Sequence, residues 1–308
     1  MIRRYKLENF QLAPTEADDA LVWVIANPTD EEKRQMIQRF DLDEHNFNSA
    51  FDPEEPARIE IEPGRVDLIL KRPRNYSSKD QFLFKVSTMG LFLFKDTLLI
   101  AVSDDIDLFT GKYFKHMTGL REVYLKLIYN TISHFMEHLK VINMIADELE
   151  RKISHSMENK HLLNMFSLEK SLVYYLNSIS GNSFVIERLK HSSEKIGLST
   201  RSQEFIDDII IENQQCFRQA EIYSNIFASM VGARASIVSN NLNILMKNLN
   251  AVVIAVAVPS FFAGVGGMSE LSAIAGPQNW HIAYPLFLLL MLVIGGATYL
   301  LIKRFERH

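Results

Sequence analysis

Two apolar segments near the C-terminus decide the fold: residues 251–265 read AVVIAVAVPSFFAGV, and residues 282–302 read IAYPLFLLLMLVIGGATYLLI. The later segment carries no charge over about twenty positions, which is enough for a helix to cross a hydrocarbon core of roughly 30 Å. The earlier segment is shorter, but it continues a helical pattern from Asn240 and stays uncharged from Asn248 to Ser269. The sequence therefore predicts a C-terminal hairpin of two membrane-spanning helices.

Basic residues on either side of the hairpin predict its orientation. They are Arg234 and Lys247 before the first segment, and Lys303, Arg304 and Arg307 after the second. The loop 266–281 has no Lys or Arg and contains Glu270. Because short basic flanks stay on the cytoplasmic side, we expect a multi-pass protein of the plasma (inner) membrane with both termini in the cytoplasm. The charged segment 1–10 lacks the apolar core of a signal peptide, which agrees with this topology.

Composition limits the classes of function. The chain has 308 residues and a formal net charge of −4, which gives no reason to expect nucleic acid as a partner. Cys216 is the only cysteine, so no intramolecular disulfide is expected. The sequence shows no Ser-His-Asp set, P-loop or dinucleotide fingerprint. We therefore predict neither an enzyme nor an organic cofactor.

The N-terminal part is predicted to be an α+β (or α/β) domain over residues 1–106. Thr29 begins an acidic capping sequence that predicts a helix to about Phe40, and Pro63-Gly64 predicts a hairpin turn. Short β-rich runs bounded by turn residues surround these signals. The predicted strands are 21–26, 58–62, 66–71, 81–88, 91–94 and 97–102.

From residue 107 onward the pattern is helical. Apolar residues at three- and four-residue intervals predict one amphipathic helix over 120–157 and another over 160–189, which together form an antiparallel pair in the segment 107–198. A third helix is predicted from about 199 to 258, on the order of 90 Å long at 1.5 Å per residue. A helix of this length needs neighbours, so we expect a homo-oligomer with a central bundle.

These parts and several motifs resemble the CorA family of divalent-cation channels. Asn240-Asn241, then Met246-Lys247, Leu249, Asn250 and Pro259 resemble the family's stalk-to-pore run. The run AGVGGM at 263–268 resembles the approach to its Gly-Met-Asn signature, and Trp280 with Tyr284-Pro285 resembles the start of its second span. The architecture agrees over nearly the whole chain, whereas the motifs agree over roughly 240–285.

The resemblance implies a homopentamer, and it divides each chain into consecutive segments. These are a cytoplasmic α/β domain at 1–106, the helix pair at 107–198, a stalk helix at 199–250, a pore-lining span at 251–268, an external loop at 269–281, a second span at 282–302 and a basic tail at 303–308. It also implies a face of the stalk and first span that lines the pore and forms its gate. That face comprises Asn243, Met246, Leu249, Asn250, Val253, Ala257 and Val258. The alternative is that this stripe only packs against the second span.

The pore mouth departs from the family pattern. Gly267, Met268 and Ser269 stand where the family has Gly-Met-Asn, and Glu270 follows. Serine is shorter than asparagine and offers a hydroxyl, so the resemblance does not carry magnesium selectivity to this chain. A second alignment matches Met268-Ser269-Glu270-Leu271 with the family's later Met-Pro-Glu-Leu. In either alignment Glu270 places carboxylates at the external entrance, which concentrate cations without choosing among them.

Carboxylates on the stalk are candidate regulatory metal ligands. Glu204, Asp208 and Glu212 follow one another at four-residue steps, so they share a helix face and repel one another. That face is either simply solvated or, by the resemblance, binds divalent cations between subunits and closes the channel. Asp208 matches the position of the family's stalk sensor. Candidate partners in the α/β domain are Asp104, Asp105 and Asp107.

Two histidines raise a separate metal hypothesis. His134 and His138 have the i, i+4 spacing of a transition-metal pair. Histidines on an amphipathic helix are more often surface or core residues, and that is the favoured interpretation.

The sequence therefore predicts a channel that passes divalent cations such as magnesium, zinc, cobalt or nickel and is gated by cytoplasmic cation binding. Its expected partners are copies of itself, the lipid bilayer and the cations. One alternative is a CorA-scaffold membrane sensor or regulator that conducts weakly or not at all. Another is a less selective channel that responds to membrane tension.

Overall fold

The structure is a computed structural model that describes residues 1–76, 82–155, 159–266, 276 and 280–305. These residues form two compact units, Met1–Val231 and Gly232–His308. The first unit contains a β-sheet and most of the helices, and the second contains two apolar helical segments.

A seven-stranded sheet organises the described part of the first unit. The strands are β1 (Ile2–Glu8), β2 (Gln11–Pro14), β3 (Val22–Ala26), β4 (Arg58–Glu62), β5 (Arg65–Pro73), β6 (Val86–Phe94) and β7 (Leu98–Val102). Their order across the sheet is β2-β1-β3-β7-β6-β5-β4. The pair β3–β7 is parallel and the other neighbours are antiparallel.

The helices fall into short ones beside the sheet and long ones that follow it. They are α1 (Asp30–Phe40), α2 (Glu44–Ser49), α3 (Leu120–His155), α4 (Asn159–His191), α5 (Ser193–Ile196), α6 (Thr200–Gly266) and α7 (Trp280–Phe305), with a 3₁₀ turn at Lys112–Phe114. A capping box begins α1, since the Thr29 hydroxyl accepts from the Glu32 N–H and the Glu32 carboxylate accepts from the Thr29 N–H.

Alternation along the central strands produces three layers. In β3, Val22 and Val24 point into a core shared with α3, α4 and α6, whereas Trp23 and Ile25 point into a second core under α1 and α2. All four side chains are buried. Because successive strand residues face opposite sides, this double burial requires helices on both faces of the sheet.

Buried polar links fix α4 to the sheet and α6 to α4. Asn182 of α4 accepts from the Lys71 N–H (2.9 Å) and donates to the Lys71 carbonyl (2.8 Å), which gives the backbone of β5 partners beyond the end of its pairing with β4. Asn213 of α6 donates to the Ile179 carbonyl and the Ser183 hydroxyl of α4. Residues on both sides of the expected boundary at 106 therefore share one core.

Two described helices are long and apolar enough, by length and composition, to cross a membrane. One is the helix that begins at Thr200 and includes the segment to Val265, and the other is His281–Phe305. The predicted α+β class with long helices and two C-terminal candidate spans is thus confirmed.

The structure also corrects the predicted secondary structure. Strands β1 and β2 and helix α2 were not predicted, and β6 passes without a break through the interval predicted between 88 and 91. Residues 82–85 precede β6 instead of belonging to it, whereas residue 81 lies outside the described residues.

Candidate pore helix and regulatory carboxylates

Most of the predicted pore-lining residues are exposed in the second unit. Met246, Leu249 and Val253 are 53%, 58% and 55% exposed, and Asn243, Asn250 and Ala257 are exposed as well. At about 3.6 residues per turn, these six positions share one broad face of α6. A single chain therefore presents an uncovered, uncharged face at the predicted pore positions.

The other side of α6 packs against α7. Ala251 is buried, and Ala255, Val258 and Pro259 are half-buried. The Ala255 carbonyl and the Pro259 ring lie beside Gly295 of α7. Val258 thus differs from the other six predicted pore residues, because its partial burial and its position on the helix place it nearer this packed side.

Helix α7 has a matching stripe of half-buried residues on the side that faces α6. Its half-buried residues recur every three or four positions, as expected for one helix packed along another. The stripe comprises Ala283, Phe287, Met291, Ile294, Gly295, Thr298, Tyr299 and Ile302. Large apolar residues such as Leu289 and Leu292 occupy the remaining faces and are 61% and 77% exposed. These faces suit lipid or neighbouring helices.

The predicted pore mouth falls outside the described residues. Gly267, Met268, Ser269 and Glu270 all belong to this group. Their roles stay predictions from the sequence.

The stalk carboxylates lie in the first unit, near the start of α6. Glu204 and Asp208 are exposed and line a cavity of about 550 Å³, while Glu212 is half-buried. The cavity also contains Glu122, Lys126 and other polar residues from the start of α3 and the segment before it. Lys126 is 2.8 Å from the Glu122 carboxylate, and together with two hydrogen bonds from Thr118 it holds the pKa of Glu122 at about 2 despite burial.

Within the described part of one chain, Glu204, Asp208 and Glu212 do not complete a metal site. No group of three or more His, Cys, Asp or Glu residues placed to hold a metal occurs among the described residues. The neighbouring Asp207 is already paired with Lys190 of α4. A cation at Asp208 therefore needs further ligands, such as water, hydroxyl groups or side chains of another chain.

The three aspartates proposed as partners of the stalk differ in their contacts. Asp104 is 2.9 Å from Arg72 and 3.3 Å from Arg74, and Asp105 is 2.7 Å from Arg3. Asp107 has no ion pair among the described residues; its carboxylate accepts only the nearby Phe109 N–H at 3.4 Å. Asp107 also lines a cavity of about 610 Å³. Of the three, Asp107 is the carboxylate left available to a cation.

His138 belongs to the buried interior of the helix pair, whereas His134 is half-buried and lines the cavity of about 610 Å³. Their rings are 4.4 Å apart, and His138 Nδ1 is 2.7 Å from the hydroxyl of buried Tyr175 on α4. Burial lowers both pKa values to about 4, helped by Arg72 at His134 and by His134 at His138. This geometry favours the core interpretation, in which neutral rings and one buried hydrogen bond join α3 to α4.

Sequence reasoning did not single out Gly295. An added Cβ there would lie 3.1 Å from the Ala255 oxygen and 3.2 Å from the Pro259 Cγ. The sequence did contain two signals for this contact: Pro259 lies inside the first predicted span, and Gly295-Gly296 lies inside the second. The sequence could not show that these two features meet.

Together, the sheet unit with helices on both faces, the long α6 and the two apolar helices that are long enough to cross a membrane fit the class of two-span membrane proteins with a large additional domain. Comparisons with known proteins identify the family. The model of the "CorA-like Mg2+ transporter protein" family matches residues 18–304. The chain belongs to this family, which confirms the resemblance noted in the sequence.

Individual relatives agree with this assignment. The cobalt/magnesium transport protein CorA of Methanocaldococcus jannaschii is 22% identical over 293 residues, covering 90% of this chain and 89% of that protein. The complete structure of the CorA magnesium transporter from the same organism matches with a TM-score of 0.78 at 20% identity, covering 99% and 98% of the two chains. The ZntB cytoplasmic domain from Vibrio parahaemolyticus matches with a TM-score of 0.57 at 11% identity, over 78% of this chain and 97% of that one.

Proposed function

We propose that copies of this chain surround a common axis and form a channel for divalent cations, with the exposed face of α6 lining the pore. Membership of the CorA-like family supports divalent-cation transport over a non-conducting regulator. The observation that carries the pore assignment is the position of two exposed asparagines, Asn243 and Asn250, on the α6 face opposite its contact with α7. Apolar side chains need no partner in lipid, but the amide groups of Asn243 and Asn250 need water or partner helices beside them.

The chemistry of this face suits hydrated ions. Asn243 and Asn250 offer amide oxygens, and Met246 and Leu249 lie between them. A ring of such apolar side chains can form a constriction that closes by losing its water. None of the seven predicted pore residues is charged, so the face favours passage over tight binding.

The ion that passes depends on the loop after α6. The archaeal relative is named a cobalt/magnesium transport protein, and we include both ions among the substrates of this chain, with zinc and nickel as further candidates. At the predicted outer mouth, the side chain of Ser269 is shorter than that of asparagine and offers a hydroxyl oxygen, whereas Glu270 attracts cations of any kind. We therefore expect permeation by several divalent cations, with magnesium less favoured than an asparagine ring would make it.

Regulation is assigned to the first unit. Asp208, with Glu204 and Glu212 on the same side of α6, would share a divalent cation with Asp107 of a neighbouring subunit. Oxygen ligands from carboxylates are those that magnesium and calcium prefer. Cation binding neutralises the repulsion among the carboxylates and holds the subunits in a closed arrangement.

This regulatory role requires the first unit and both termini to face the cytoplasm. We propose that the channel has five subunits, as the family resemblance implies.

Thiol labelling tests the pore assignment. Native Cys216 is buried and burial raises its pKa to about 12, so it offers a poor background target. We expect a water-soluble, positively charged methanethiosulfonate reagent to modify Val253→Cys and Ala257→Cys and to block uptake in proteoliposomes. A charged adduct inside the pore excludes cations both by its volume and by its charge.

Leu292→Cys on α7 is the matched control. Leu292 is exposed on the outer surface of the helix pair, where we expect lipid and therefore no access for a charged reagent. Uptake by this variant should stay unchanged. Equal block of all three variants, or free labelling at residue 253 without loss of uptake, would argue against a pore on this face of α6.

A further inference from the structure

Pro259 leaves a gap in the hydrogen bonds of α6. Proline has no backbone N–H, so the carbonyl four residues earlier, on Ala255, loses its helical donor. Pro259 lies inside the helix Thr200–Gly266. In a membrane a carbonyl without a partner is costly, and a neighbouring helix usually compensates for it.

Gly295 of α7 lies at this gap. Because its added Cβ would stand only 3.1 Å from the Ala255 oxygen and 3.2 Å from the Pro259 Cγ, the backbone of α7 approaches α6 more closely here than most side chains permit. The adjacent Gly296 has no atom within 4 Å of its added Cβ. The close fit therefore belongs to Gly295 and not to the Gly-Gly pair in general.

The contact lies across the helix from the proposed pore face. Val253 and Ala257 are each two residues from Ala255, so they project from the opposite side of α6. Both are exposed, whereas Ala255 and Pro259 are half-buried. A displacement of α6 at Ala255 by a few tenths of an ångström therefore moves Val253 and Ala257 toward the proposed pore axis.

We propose that Gly295 is a positioning residue for transport: it seats the second span against the proline break of α6 and thereby sets the width of the pore at Val253 and Ala257. The inference rests on the proposed function of α6 as the pore helix. A side chain at residue 295 pushes α6 inward and narrows the pore, without touching the ion or the outer mouth.

Substitutions of graded size test the inference. We expect Gly295→Ala to lower the maximal rate of cobalt uptake in proteoliposomes about fivefold and Gly295→Val to lower it further, since overpacking of a close contact shifts the backbone. The KM for cobalt should stay unchanged because the mouth is untouched. Gly296→Ala and Gly296→Val should retain the native rate. Assembly of every variant is checked by size-exclusion chromatography in detergent.

A double-mutant cycle separates positioning from general damage. Pro259→Ala removes the ring and supplies the N–H that holds the Ala255 carbonyl within α6. In that background Gly295→Ala should lower the maximal rate by less than about twofold, because the two residues share one contact. Additive effects of the two substitutions, or equal losses at residues 295 and 296, would overturn the inference. A native protein that takes up no divalent cation would instead refute the proposed function.

Discussion

At the scale of single residues, Asp67 is a charged group held where water hardly reaches. Its side chain is 4% exposed, and its carboxylate lies 2.8 Å from Arg65 Nε. Burial nevertheless raises the pKa of Asp67 from 3.8 to about 6, so the loss of hydration outweighs the attraction of Arg65. The ionised form is therefore disfavoured in the folded protein relative to the unfolded chain.

The sign of the resulting pH dependence follows from this raised pKa. Above pH 6 the folded protein bears the cost of a buried carboxylate, and below pH 3.8 both states bind the proton and the cost vanishes. We expect Asp67→Asn to raise the free energy of unfolding at pH 8 by about 1–3 kcal/mol, given about 1.4 kcal/mol for each pKa unit. The gain should shrink as the pH falls toward 4.

Thermal unfolding of the full chain in detergent, at several pH values, measures this effect. Arg65 keeps the Glu62 carboxylate and the Asp41 carbonyl as partners in the variant. Asp96→Asn, at an exposed position between β6 and β7, is the matched control and should leave the melting temperature unchanged. A destabilised Asp67→Asn protein at pH 8 would show that the ion pair outweighs the cost of burial.

At the scale of elements, β6 passes under α2 at a glycine. An added Cβ at Gly90 would lie 2.6 Å from the Ala50 Cβ and 2.8 Å from Cε2 of Phe92. The Thr88 hydroxyl also donates to the Ala50 carbonyl at 2.8 Å. The end of α2 thus lies directly on the strand, and there is no room for a side chain between them.

We expect Gly90→Ala to destabilise the protein by about 1–3 kcal/mol, as overpacking of a close contact typically does. Gly119→Ala is the matched control, since an added Cβ at residue 119 meets no atom within 4 Å. The stability of both variants is measured as the urea concentration at the midpoint of unfolding. Similar midpoints for the two variants would mean that α2 can move away from β6 at little cost.

The elements differ in how well the sequence predicted them. The central strands β3 and β7 and the long helices were predicted because their apolar patterns are continuous. Strand β1 was missed because most of its residues are charged or only half-buried, so they show no apolar pattern. It is held as a strand by its pairing with β3. Helix α2 has only six residues, too few to show a period. Gly90 lies in the interval predicted between 88 and 91; a glycine inside a strand often marks an interruption, whereas here it makes room for Ala50.

The candidate site was predicted unevenly for a similar reason. The proposed pore face of α6 follows a local period that a sequence displays. The contact of Gly295 with Pro259 joins residues far apart in the chain, and the availability of Asp107 depends on which neighbouring aspartates bind arginine. Such facts require the folded structure.

At the scale of the whole molecule, the proposed pore and its proposed regulation both require several chains. Asp208 is exposed, and the described residues of its own chain give it no group of three His, Cys, Asp or Glu ligands. We expect Asp208→Asn to raise the internal divalent-cation concentration that half-closes the channel by about tenfold, because loss of one charged ligand weakens cation binding.

The dose dependence of uptake on internal magnesium measures this shift. Glu221→Gln, at an exposed position farther along α6, is the matched control and should leave the dependence unchanged. If Asp208→Asn closes at the native concentration, the regulatory cation binds elsewhere.

The central claim is that this chain conducts divalent cations, and uptake by proteoliposomes under an inward-negative potential tests it most directly. Magnesium, cobalt, nickel and zinc are offered separately to the native protein and to Ser269→Asn. We predict uptake of more than one of these ions by the native protein, and a shift in favour of magnesium in the variant because asparagine places an amide oxygen at the mouth. No uptake of any of the four ions by either protein would contradict the claim.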